Sequence, residues 1–250
     1  IAAITGGTRG IGRAIAEAFV AEGAKVVVNG RSPDKGAAAV SEMDAGDAVH
    51  FIAGDVTDQS FCEGLVDQTV EHFGRIDIMV NNAGGGGDTA AVVDMEDESW
   101  NRVMDWNLNH PFWCTRRALK HMIPQQSGRI INISSMYGKL ALPSNAHYVT
   151  TKHGLNGLTK AVALEVGDLG ITCNSLCPGG IMTDSMNELG PQAAAAMGME
   201  FQDLLDHMAQ PSAIKRLNDV EDVALVAVLI ASDAGAGISG SMISIDGGVS

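Results

Sequence analysis

No apolar run reaches the roughly 18 residues that a membrane-spanning helix needs, and no basic-then-apolar leader opens the 250-residue sequence. The expectation is a cytoplasmic protein that neither crosses a membrane nor carries a visible secretion signal. The first residues already read as a strand, so a few native residues are expected ahead of it. Cysteine is scarce. Cys62, Cys114, Cys173 and Cys177 show no C-x-x-C spacing, so they read as reduced core thiols rather than disulfide partners or zinc ligands, and no metal site is expected. Cations are few as well, with 16 Lys and Arg against 30 Asp and Glu and a net charge of −14. Such a surface repels polyanions, which argues against nucleic acid and anionic membranes as partners. A phosphate-bearing ligand would have to be captured locally, by helix N-termini and a few arginines. No repeat, linker or low-complexity tract divides the chain, and 46% apolar with 18% charged residues leaves no disorder signature. One domain over residues 1–250 is expected.

What the chain does have is alternation. Short apolar, β-branched runs at Ile1–Thr5, Lys25–Asn29, Val49–Ala53, Ile76–Asn81, Arg129–Ser134, Ile171–Leu176 and Met242–Asp246 predict strands. Stretches of helical periodicity at Ile11–Glu22, Pro33–Met43, Gln59–Phe73, Asp97–Met122, Tyr148–Leu169 and Val220–Ser232 lie between them. Strands that are apolar throughout belong to a sheet buried on both faces. Strand–helix alternation then implies right-handed crossovers: an α/β fold with a doubly wound, seven-stranded parallel sheet and helices on both faces. Residues 184–212, Ala- and Met-rich with helical spacing, are expected to form one or two helices that flex over a site as a substrate lid.

Glycine is plentiful at 30 residues, and its placement carries chemistry. The first strand is followed by Thr5-Gly6-Gly7-Thr8-Arg9-Gly10-Ile11-Gly12, which leads at once into a helix. Glycines permit the turn and let backbone N–H groups approach a pyrophosphate, while the helix N-terminus stabilises its charge. An ordinary glycine-rich loop is the plainer alternative, and the strand before and helix after favour cofactor binding. The second strand ends Val28-Asn29-Gly30-Arg31 without the acidic residue that usually takes the ribose of NAD. Arg31, with Arg9 approaching from the first loop, suits a 2′-phosphate instead, so NADP(H) is favoured and NAD(H) is the alternative. Asp55-Val56 after the third strand is expected beside the adenine, although Asp55 also reads as a turn former. Asn81-Asn82-Ala83-Gly84 after the fourth strand leaves room for a dinucleotide.

Tyr148 and Lys152 stand one helical turn apart on one face. A phenol with a pKa near 10 is a poor acid/base at neutrality, and a neighbouring ammonium is expected to lower it. Ser135, thirteen residues earlier, ends the fifth strand, where ligands meet such sheets. It either holds a substrate oxygen or merely caps its loop. Asn107 lies inside an apolar helix, where asparagine is unfavourable; it marks a kink, a water relay from Lys152, or both.

In this order the motifs resemble the short-chain dehydrogenase/reductase family over essentially the whole chain. Thr5-Gly6-x-x-x-Gly10-x-Gly12 resembles the cofactor loop, and Asn81-Asn82-Ala83-Gly84 the sheet-stabilising motif. Asn107, Ser135, Tyr148 and Lys152 match the active-site tetrad in spacing, and Pro178-Gly179 with Ile181 and Thr183 the stretch beside the nicotinamide. The resemblance implies a single-domain Rossmann fold and hydride transfer between NAD(P)(H) and a ketone or secondary alcohol. In that mechanism Tyr148 donates the proton, Ser135 holds the carbonyl oxygen, Lys152 binds the nicotinamide ribose and lowers the phenol, and Asn107 places a water. The last strand, Ile245-Asp246-Gly247-Gly248, looks like one that sits in a tetramer interface, so a homotetramer or homodimer is implied.

Substrate identity is thinly encoded. The chain resembles 3-oxoacyl reductases, polyketide ketoreductases and 3-hydroxybutyrate dehydrogenases. Gly86, Tyr137 and Asn145 replace the glutamine, histidine and lysine with which the last group holds its carboxylate. Tyr137, Leu142, His147, Gly180, Met182 and Met186 are expected to line the pocket and suit a larger or neutral ketone. A non-catalytic dinucleotide-binding regulator is the alternative of another class, disfavoured by the intact tetrad; an epimerase or dehydratase would be expected to carry a separate substrate domain.

Overall fold

Seven parallel strands form the sheet of the computed structural model, which describes residues 1–250 apart from the side chain of Ser185. They are β1 (Ala2–Ile4), β2 (Val26–Gly30), β3 (Val49–Ala53), β4 (Ile78–Asn81), β5 (Gly128–Ile133), β6 (Ile171–Pro178) and, last in the chain, β9 (Met242–Ile245), arranged β3-β2-β1-β4-β5-β6-β9. Two short strands that the sequence did not signal, β7 (Ile181–Met182) and β8 (Asn218–Asp219), pair in parallel apart from it. Two residues are too few for a periodicity to register. The helices are α1 (Gly10–Ala21), α2 (Pro33–Met43), α3 (Gln59–Phe73), α4 (Asp97–Met104), α5 (His110–Gln125), α6 (Ala146–Val166), α7 (Asp184–Ala196), α8 (Phe201–Ala209) and α9 (Val220–Ala231). Among the described residues, no helix is long and apolar enough to cross a membrane.

The pleat explains why the strands are apolar throughout. Ala2 and Ile4 of β1 join the cluster under α1 and α9, with Ile15, Phe19, Val223 and Ile230, whereas Ala3 joins the opposite cluster under α3, α5 and α6, with Val66, Met122 and Val162. Ile131 and Ile133 of β5 likewise face one way and Ile130 the other. Every second residue meets one helical layer and its neighbours meet the other. Each fully buried aliphatic side chain contributes on the order of 1.5–3 kcal/mol. All four cysteines are buried in this interior and unpaired.

Local sequence sets the helix ends. Ser32 accepts from the Lys35 amide with Pro33 behind it, Asp58 accepts from Ser60 and Phe61, and Gly74 closes α3 at φ +83°. The stretch Asp97–Met122, expected as one helix, is split by a π-turn at Asp105–Asn109. Pro111 is the reason: it has no N–H to offer the carbonyl of Asn107, so the α-ladder fails there. The sheet order reverses direction around β1, whose neighbours are β2 and β4. A crevice therefore opens beyond the carboxyl ends of these strands, where ligands of such sheets bind.

Candidate active site

The first turn of the crevice needs its glycines. Gly6 (φ +64°) and Gly10 (φ +54°) adopt left-handed backbone, and a Cβ on Gly12 would stand 2.4 Å from both the Gly6 carbonyl and Asn82 Nδ2. Thr8 packs on Gly30 at the end of β2, where a Cβ would meet its methyl at 3.0 Å. The residues following these two, Arg9 and Arg31, thus stand at adjacent strand ends and are both exposed. The other seven arginines, Arg13, Arg75, Arg102, Arg116, Arg117, Arg129 and Arg216, each pair with a carboxylate. Among the described residues, then, the uncompensated guanidinium groups are the two beside this turn. The Gly10 amide, at the start of α1, donates to Asp184 Oδ2 at 3.1 Å, so a carboxylate from α7 takes a position suited to a phosphate oxygen.

Asn82 supports the turn from below, donating to the carbonyls of Thr5 and Gly6 at 2.9 and 3.1 Å, and the Thr5 hydroxyl accepts from the amides of Asn82 and Ala83. Neighbouring Asn81 donates to Thr115 and Asn132, and Asn132 to Thr159, a buried polar ladder across β4 and β5. Asp55 accepts from the Thr57 amide and hydroxyl, a turn-forming role that leaves its second oxygen to the solvent; Val56 is buried beside it. Pro178 and Gly179 close the far side, with Gly179 so near Asp246 that a Cβ would lie 2.8 Å from its Cα. Ile181 is buried in β7, and the hydroxyl of Thr183 caps α7 by accepting from Met186. A glycine-lined cradle of amides, with two unpaired arginines at one end, fits a dinucleotide with an extra phosphate.

The four tetrad residues converge at the other end. Lys152 is almost wholly buried and donates from Nζ to the Ile133 carbonyl at 2.9 Å, with Nζ 5.5 Å from the centre of the Tyr148 ring. Burial pushes the Lys152 ammonium down to about 8. Burial likewise pushes the Tyr148 phenol up, offset in part by the Ser135 hydroxyl. In the cofactor-free protein the phenol is thus raised by burial, in contrast to the expected lowering by the lysine, whose ammonium is not among the causes of the shift. Ser135 accepts from the Tyr137 amide at 3.1 Å, so it caps its turn as well as facing Tyr148. Asn107 is fully buried in the π-turn, exchanging two hydrogen bonds with the Gly85 backbone and donating to the Val103 carbonyl. A Cβ on Gly84 would stand 2.6 Å from Asn107 Oδ1 and 3.6 Å from Lys152 Nζ, so this glycine keeps the space between them open.

Of the residues expected to line the substrate pocket, Tyr137, Gly180, Met182 and Met186 are half-buried and Leu142 is exposed. His147 is the exception. Expected to face substrate, it is wholly buried and spends both ring nitrogens on backbone groups, leaving nothing to offer a ligand. His110, whose only sequence signal is its place before Pro111, donates from Nδ1 to the Trp106 carbonyl at 2.7 Å, so its neutral ring accepts from the Thr5 hydroxyl at Nε2, 3.2 Å away.

The family model for short chain dehydrogenases matches residues 1–194. The chain is a member of that family. It is an NAD(P)-dependent oxidoreductase that interconverts carbonyl and alcohol groups. A 3beta-hydroxysteroid dehydrogenase of Mediterraneibacter gnavus is 38% identical, over 98% of this chain and 92% of that protein. A D-beta-hydroxybutyrate dehydrogenase of Rhizobium meliloti is also 38% identical, over 99% and 97%. Among solved structures, a variant of actinorhodin polyketide ketoreductase with NADPH superposes with a TM-score of 0.93 at 31% identity, covering 99% of this chain and 96% of that one.

Within this dehydrogenase the buried lysine carries a cost that can be measured. An ordinary Lys titrates at 10.5 and Lys152 at about 8, so below pH 8 the folded state holds a desolvated charge that the unfolded state hydrates freely. The penalty, on the order of 3 kcal/mol, is constant below pH 8 and fades as pH rises towards 10.5. Losing the bond to Ile133 returns about 1 kcal/mol of it. Lys152→Met should therefore be about 1–2 kcal/mol more stable at pH 7 by urea unfolding while losing turnover; a variant less stable than wild type would show that the ammonium is not buried at a loss.

Proposed function

We propose that this dehydrogenase interconverts a neutral, largely apolar ketone and its secondary alcohol with NADP(H), using Tyr148 as acid/base. The observation that carries the cofactor preference is the pair of exposed, uncompensated arginines, Arg9 and Arg31, at the ends of the first loop and β2. A 2′-phosphate would neutralise both, and guanidinium groups suit that geometry. The NADPH of the structurally similar polyketide ketoreductase agrees with this reading.

When bound, the nicotinamide supplies or takes the hydride. The protein's part is to bind, orient and move a proton. Gly6, Thr8, Gly10, Ile11 and Gly12 hold the pyrophosphate on backbone amides, Asp55 and Val56 border the adenine, and Asn82, Ala83 and Gly84 the central groove. Pro178, Gly179, Ile181 and Thr183 flank the nicotinamide end. Ser135 hydrogen-bonds the substrate oxygen and Tyr148 delivers a proton to it. Lys152 holds the ribose from α6, its Nζ anchored on the Ile133 carbonyl of β5, and Asn107 sits in the π-turn behind it. Tyr137, Gly180 and Met186 border the substrate, under a lid made by residues 184–212; methionines adapt to varied shapes.

A homotetramer is the assembly this reading favours. Leu225 and Leu229 on α9 and Phe112 on α5 are exposed apolar side chains, and β9 ends the sheet with an unpaired edge. Arg31→Asp is expected to raise the NADPH dissociation constant at least about tenfold, as loss of a charge-assisted contact implies, and to leave NADH nearly unchanged. Equal effects on both cofactors, measured by fluorescence titration, would remove the NADP assignment.

A further inference from the structure

The first turn of α6 is capped in an unusual way. Tyr148 is the third residue of that helix, and its amide has no acceptor within the helix. The N-cap side chain normally serves, but Asn145 turns instead to the Pro143 carbonyl. The Tyr148 amide donates to Nδ1 of its own neighbour, His147, at 2.8 Å. The other ring nitrogen, Nε2, lies 2.9 Å from the Asp88 carbonyl. A backbone amide can only donate and a carbonyl can only accept, so one form fits: Nδ1 bare and Nε2 carrying the hydrogen.

The ring therefore bridges Tyr148 to the loop after β4. That loop is held at its other end by Asn107, through the paired bonds to Gly85. Between the two anchors Gly87 has φ +69°, and a Cβ there would lie 3.4 Å from His147 Nε2 and 2.6 Å from Val103. The loop backbone closes directly onto the ring.

We propose that His147 is a positioning residue, a brace that sets Tyr148 against Asn107 and the cofactor groove. This rests on Tyr148 being the acid/base. Letting the first turn of α6 shift by about 1 Å would misplace the phenol, and errors of that size cost on the order of 100-fold in rate.

The test uses the full chain with NADPH and the best ketone from a substrate panel, with kcat expressed per NADPH-binding site. His147→Leu removes both bonds and is expected to lower kcat about 10- to 100-fold, with KM and the NADPH dissociation constant changing much less. His147→Asn keeps an acceptor near the Tyr148 amide, and His147→Gln a donor near the Asp88 carbonyl. Each is expected to fall between His147→Leu and wild type, and this pair decides the matter if the leucine variant does not fold. Wild-type kcat per binding site in all the variants that fold would overturn the proposal, as would a loss that only tracks the number of binding sites. A wild-type chain that binds no dinucleotide would overturn the functional reading beneath it instead.

Discussion

Tyr148→Phe is expected to lower kcat by about 10²- to 10⁴-fold, the usual contribution of a positioned general acid, while leaving the NADPH dissociation constant nearly unchanged. The phenylalanine keeps the ring that packs beside Lys152 Nζ and loses only the hydroxyl facing Ser135. Folding and cofactor binding should therefore survive, because the groove is built by the glycine turn and Asn82 rather than by this oxygen. Stopped-flow or steady-state oxidation of NADPH with a ketone panel would measure it. Retention of most of the activity would show that the proton comes from elsewhere. The direction of the phenol's shift adds a condition. Burial raises it in the cofactor-free protein, so as a proton donor for ketone reduction it is already in the right state at neutral pH. Alcohol oxidation needs phenolate, and is expected to rise with pH through the alkaline range while reduction does not.

The second large effect concerns stability in acid. His110 is fully buried, and burial takes it from 6.5 to about 3, against the smaller opposing pull of its bond to the Trp106 carbonyl. The folded protein holds it neutral; the unfolded chain protonates it freely below 6.5. Its share of stability is thus complete above pH 6.5 and is lost as pH falls from there towards 3. At about 1.4 kcal/mol per pH unit the full loss is on the order of 5 kcal/mol, comparable to the whole margin of many domains. Urea unfolding at pH 7, 5 and 4 should show the decline, and His110→Gln should flatten it by about one proton while costing stability at pH 7. An unchanged slope in the variant would place the acid sensitivity in another group.

The sequence by itself determined the elements and the order of the chemistry. Strand and helix patterns are set by contacts one or two turns away, so the apolar runs, the glycine turn and the pair Tyr148–Lys152 at one-turn spacing were legible without a fold. The π-turn was legible in part, since Asn107 inside an apolar helix marks a kink and Pro111 four residues on supplies its local cause. Only the tertiary structure decided the environment of each group. Whether a histidine faces substrate or braces a backbone depends on what packs against it from distant segments: Asp88 for His147, Thr5 for His110. The Tyr148 phenol was expected to be lowered by its lysine neighbour and is instead raised by burial. Spacing along a helix reports which charge is near, whereas desolvation depends on how much of the rest of the chain closes over the group, and for this tyrosine the second is the larger.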